Sequence, residues 1–154
     1  MVRVTELKDK YIEELFKVVS LHEGEQKSKR LKEAFLAKTQ FEEYLVCIDN
    51  ESDEVIGYSK TTTLTHGILK LDYIYVIPTL RRDTNGSIIL VAVYNRAVNR
   101  MTAGIIAECE KDNQEGNAFF KSRGFIWGKE EDGINFYTKS LMHMYMPHKH
   151  DDKQ

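Results

Sequence analysis

One short loop gathers the side chains best suited to holding an anion: Arg81-Arg82-Asp83-Thr84-Asn85-Gly86-Ser87. It runs from the most strand-like segment of the chain, ILKLDYIYVI at 68–77, into an apolar helical run at 88–101. The first turn of a helix has amides without intrahelical partners and a positive partial charge. Such an end binds phosphate. Two arginines add attraction and bidentate donors, and Gly86 lets the backbone approach a ligand closely. A charged surface loop can have the same composition, so the loop alone leaves both readings open.

Carboxylates supply the second set of candidates. Asp72 sits mid-strand between Leu71 and Tyr73, an odd place for a carboxylate in a core strand. It is either a functional base, or an acid that lies at an exposed strand end or pairs with Lys70 or an arginine. Glu108 and Glu110 stand two apart, so they share one face of their strand. His143, His148 and His150 lie among Met142, Met144 and Met146, but the segment is irregular and no metal site is assigned to it. Cys47 and Cys109 fall in apolar runs rather than in a CxxC pair. Buried free thiols in a reducing compartment are expected, not a disulfide or a zinc site.

The elements that must position these groups follow from periodicity. Short strands are expected at 2–5 and 44–48, then 55–64 and 68–77, with Pro78 ending the last. Helical spacing covers 8–21 and 27–38, broken at Gly24. The run 88–101 is apolar almost all round, which predicts a buried helix. A strand at 103–109, a helix at 113–122 stopped by Gly124, and strands from 125 and at 134–139 complete the order. A strand leading through a loop and helix to another strand is a βαβ crossover. The 154 residues suit one domain, 1–141, with a C-terminal tail at 142–154. A net charge of -2 argues against nucleic acid or anionic lipid as the main partner. No run approaches ~18 apolar residues, and the N-terminus lacks the apolar stretch of a secretory signal, so a cytoplasmic protein is expected.

The stretch from Val76 through Pro78 and Arg81 to Gly86 resembles the coenzyme loop of the GCN5-related N-acetyltransferase (GNAT) superfamily, V-x-P-x-x-R-x-x-G-x-G/A followed by a helix. Asn113, Phe119, Gly124 and Phe125 are similar to its second signature, N-x-x-A-x-x-F-Y-x-x-x-G-F. The chain departs from the pattern at three places. Thr84 replaces the first glycine, and would be strained at positive φ but not in a helical backbone. Asn85 replaces an apolar residue. Phe120 replaces the tyrosine that commonly protonates the departing thiolate, and Tyr94 and Tyr137 are substitutes to weigh against a packing role.

The resemblance implies an α/β/α three-layer fold with a mixed, mostly antiparallel sheet of about seven strands, splayed in the middle, and four helices. It implies an N-acetyltransferase that moves acetyl from acetyl-CoA to an amine by direct attack in a ternary complex. The alternative is a non-catalytic acetyl-CoA-binding or interaction protein on the same fold. By resemblance, Arg81, Arg82, Asp83, Thr84, Asn85, Gly86 and Ser87 hold the pyrophosphate. The backbone near Tyr75 and Val76 meets the pantetheine arm and thioester, and Asn113 and Phe120 border the coenzyme. Asp72, or else Glu108, takes the amine's proton. Homodimers are common in the family.

Overall fold

The computed structural model describes residues 1–37, 42–64, 67–81 and 84–141. The expected tail at 142–154 lies outside the described residues, as do Arg82, Asp83 and His66. The elements run β1 (Val2–Glu6), α1 (Ile12–Glu23), α2 (Glu25–Leu36), β2 (Glu42–Asp49), β3 (Val55–Thr63), β4 (Ile68–Val76), α3 (Asn85–Asn99), β5 (Gly104–Glu110), α4 (Gln114–Ser122), β6 (Ile126–Glu131) and β7 (Ile134–Ser140). The strands form one seven-stranded sheet in the order β1-β2-β3-β4-β5-β7-β6. β1–β2, β2–β3, β5–β7 and β6–β7 all pair antiparallel.

Residues group into two compact units, 1–63 with 71–95, and 64–70 with 96–154. In the first, strand alternation sends side chains to two different layers. Tyr44, Val46 and Ile48 of β2, with Val55 and Tyr58 of β3, pack beneath Leu15, Phe16, Val18 and Val19 of α1. Cys47, Ile56 and Val76 meet Ile89 of α3 on the opposite side. Gly24, at φ 93, closes α1 and opens α2: its N–H donates to the Ser20 carbonyl, and its own carbonyl accepts from Ser28. The Ser28 hydroxyl then ties α2 back to the Phe16 carbonyl at 2.6 Å. In the second unit, Phe120 of α4 packs against Phe125 and Tyr137, with ring centroids 5.2 and 5.8 Å away.

One expectation needs correction. α3 is not buried all round: Ile89, Leu90, Val93 and Ala97 are inside, while Ile88 and Val91 are exposed. A helix laid on a sheet hides only the side that touches it, however apolar the other side is. The helix also starts at Asn85 rather than at 88. Among the described residues, no helix is long and apolar enough to cross a membrane.

Candidate active site

β4 ends at Val76, and Pro78 opens a single 3-10 turn, Pro78–Leu80. Proline suits that position because its fixed φ matches the turn and its missing N–H is not needed there. The Ile77 N–H donates to the Ile56 carbonyl of β3. By strand alternation the peptide groups of Val76 point away from β3. The Val76 carbonyl is taken by a side chain, the Arg81 Nε, at 2.7 Å. The Arg81 guanidinium also lies over the Tyr75 ring, 4.9 Å from its centroid. The loop's first arginine therefore braces the strand end that it follows.

Thr84 adopts φ 67, the left-handed region, not a helical backbone. That conformation costs a residue with a Cβ roughly 1–2 kcal/mol. Its carbonyl accepts the Ile88 N–H at 3.0 Å, the first turn of α3. Asn85 is nearly buried, and its side-chain amide donates to the Leu80 carbonyl at 3.0 Å. Thus the two departures from the glycine pattern fix the helix start. The first turn contains no acidic residue, so its positive end is not neutralised from within the helix. Tyr75 is held close from the other side as well: a Cβ on Gly57 of β3 would lie 2.6 Å from the Tyr75 carbonyl oxygen, so only glycine fits there.

Asp72 lies in an interior ion network rather than at an exposed strand end. Its carboxylate sits 3.1 Å from the Lys60 ammonium and accepts from the Thr62 hydroxyl, both on β3. Lys60, with only 7% of its side chain exposed, also pairs with Glu42 of β2 at 3.3 Å. Lys70, the neighbour named from sequence, pairs with Glu108 in the second unit, at 2.7 Å. Glu110 is exposed.

Also in the second unit, Asn113 caps α4, its side-chain oxygen accepting the Gly116 N–H at 2.9 Å. Phe120 is 6% exposed within its aromatic cluster. The Tyr137 hydroxyl is wholly buried and donates to Asn117 Oδ1 at 2.6 Å, which makes it a packing group rather than an acid in reserve. Both cysteines are buried and free; burial pushes the Cys47 thiol up to about 11 and raises that of Cys109.

Sequence reasoning missed a cluster centred on His22. Its ring stacks on Tyr75 at 4.3 Å and 17°, and meets Tyr73 and Tyr58 edge-on. Nδ1 lies 2.7 Å from the Tyr58 hydroxyl. The signal was present: Leu15, Val18, Val19 and His22 share one helical face, and Tyr73 and Tyr75 share one strand face. Burial lowers the His22 pKa; Glu23 opposes this, while Lys27 and Arg81 reinforce it. The folded state thus favours the neutral ring. The stability this gives is present above the unfolded value of about 6.5 and is lost as pH falls below it. Stability measured by urea unfolding between pH 7 and 5 should fall less steeply in His22→Gln than in the native chain. Equal slopes would mean that the ring is not held neutral.

The family model described as the acetyltransferase (GNAT) family matches residues 6–125. The chain belongs to that family. With membership comes its chemistry, N-acetyl transfer with acetyl-CoA as cosubstrate. Among solved structures, the chain is similar to the PaiA N-acetyltransferase of Thermoplasma acidophilum in complex with coenzyme A, at 12% identity and TM-score 0.76, over 92% of this chain and 99% of that one. It is similar to an acetyltransferase of the GNAT family from Staphylococcus aureus Mu50, at 17% identity and TM-score 0.73, over 92% and 99%. It is also similar to mutant forms of the spermidine/spermine N-acetyltransferase SpeG of Vibrio cholerae, at 10% identity and TM-score 0.75, over 92% and 96%. No curated protein matches by sequence.

Proposed function

We propose that this GNAT member transfers acetyl directly from acetyl-CoA to an amine within a ternary complex, and that the coenzyme diphosphate sits on the amino end of α3. The observation that carries this reading is the helix start itself. A left-handed Thr84 and a tethered Asn85 set the first turn of α3 just after Arg81 in the chain, with no acid in that turn. Arg82, Asp83, Gly86 and Ser87 complete the anion-binding loop. The Val76 N–H, on the strand edge away from β3, is the proposed donor to the thioester carbonyl, an oxyanion-type contact.

No side-chain acid need replace the missing tyrosine. A thiol with a solution pKa near ~8.5 leaves readily as thiolate at neutral pH. Asp72, or else Glu108, is the carboxylate that sequence nominates to take the amine's proton, although each is already engaged with a lysine, Lys60 and Lys70. The acceptor is proposed to be a primary amine, with polyamines and peptide N-termini as the first classes to try. The test is mass spectrometry of products after incubation with acetyl-CoA and an amine panel. A mass gain of one acetyl group on an amine, absent without the chain, is the expected result. Coenzyme binding without any acetylated product across the panel would favour the non-catalytic reading.

A further inference from the structure

His22 is the one histidine of the first unit, and its ring is partly open to solvent. The geometry points to His22 as the group that takes the proton from the acceptor amine, with its Nδ1 held by Tyr58 and its ring plane set by Tyr75. The inference rests on the acetyl-transfer reading above.

Tyr75, on which the ring stacks, directly precedes Val76, the proposed donor to the thioester. A base must reach its proton directly or through one water. About a quarter of the His22 side chain is exposed, so one edge stays open. The Nδ1–Tyr58 hydrogen bond selects which nitrogen is available. In the tautomer with hydrogen on Nδ1, that N–H donates to the Tyr58 oxygen and Nε2 has the free lone pair. Nε2 also lies 4.0 Å from a Glu23 carboxylate oxygen, which steadies the imidazolium once it forms.

Three charged groups act on the ring. Glu23 of α1 favours protonation, whereas Lys27 of α2 and Arg81 of the loop oppose it. Tyr58 of β3 and Tyr73 and Tyr75 of β4 enclose it with aromatic surface. Burial pushes the Tyr58 phenol far above its usual value, so it stays protonated and uncharged beside the ring. By contrast, Asp72 has a lysine ammonium against its carboxylate.

His22 Nε2 takes one proton from R–NH3+, and this proton later passes to solvent. The freed nitrogen attacks the acetyl carbonyl carbon, the C–N bond forms, and the C–S bond breaks with its electron pair on sulfur. The second proton, shed as the amide forms, neutralises the thiolate. An amine with a pKa of about 10.4 is almost wholly charged at pH 7, so a local base has most to contribute there.

The test uses the full chain, acetyl-CoA, and spermidine, tyramine and an alanine-initiated tripeptide as acceptors, with free-thiol release as the readout. His22→Gln is expected to lower kcat/KM by about 100-fold at pH 7, within the range of general-base effects. The deficit should shrink above pH 9 as the amine loses its proton unaided. In His22→Ala, added imidazole should restore part of the pH 7 rate. A variant with native kcat/KM at pH 7, or with the same deficit at every pH and no imidazole rescue, would overturn the assignment. Melting temperature with acetyl-CoA separates the two claims: if the native chain gains no stability from acetyl-CoA, the coenzyme reading fails; if the variants gain as it does, any rate loss belongs to the proton step.

Discussion

Gly86→Asp should make the free protein slightly more stable and nearly abolish its affinity for acetyl-CoA. The two effects have opposite signs because they draw on the same field. Gly86 lies in the first turn of α3, where an aspartate complements the positive helix end by about 0.3–1 kcal/mol. Replacing glycine inside a helix also removes some unfolded-chain entropy. The melting temperature of the free protein should therefore rise by about 2–4 °C. A diphosphate on the same turn would instead face a new negative charge some ~5 Å away. At an effective dielectric constant of about 40 and for two phosphate charges, that repulsion is about 3 kcal/mol. It corresponds to a loss of more than 100-fold in affinity. Calorimetric titration with acetyl-CoA reads the second effect and a thermal melt reads the first. A stable variant with native affinity would show that the diphosphate binds elsewhere.

The largest stability effect is expected at Lys60. Its ammonium lies 3.1 Å from Asp72 and 3.3 Å from Glu42, with 7% of the side chain exposed. Lys60→Met takes that charge away from two carboxylates, the largely buried Asp72 and the partly exposed Glu42. Removing one partner of a buried pair typically costs about 3–5 kcal/mol, because the remaining charge has lost its compensation. The urea midpoint should fall accordingly. Lys60→Met with Asp72→Asn should recover most of the loss, since the amide is neutral and can still meet the Thr62 hydroxyl. A double variant as unstable as the single one would assign the loss to packing of the lysine stem rather than to charge.

Sequence patterns reached the fold and the loop because both are local. Pro78, Arg81 and Gly86 stand in one short stretch between a β-branched and aromatic run and an apolar helix, and the chain folds there as a strand, a turn and a helix start. The helix boundary shifted to Asn85 because its side chain, spent on the Leu80 carbonyl, makes a polar residue part of the helix start. What stayed hidden depends on strand pairing across long stretches of chain. Asp72 was visible as a misplaced carboxylate, but Lys60 reaches it from β3, and the register that brings Lys60 across follows from no local pattern. His22 showed a helical face position, yet Tyr58, Tyr75 and Arg81 reach it from β3, β4 and the loop. Phe120 read as a packing ring without an acid's proton, and the partners it packs with, Phe125 and Tyr137, come from later in the chain.

The most direct measurement is a backbone amide NMR titration of the native chain with coenzyme A, which supplies the diphosphate without an acyl group. The account predicts the largest shifts at the amides of Asn85, Gly86 and Ser87, with a smaller change at Val76. Saturation that moves other amides and leaves those three in place would contradict it.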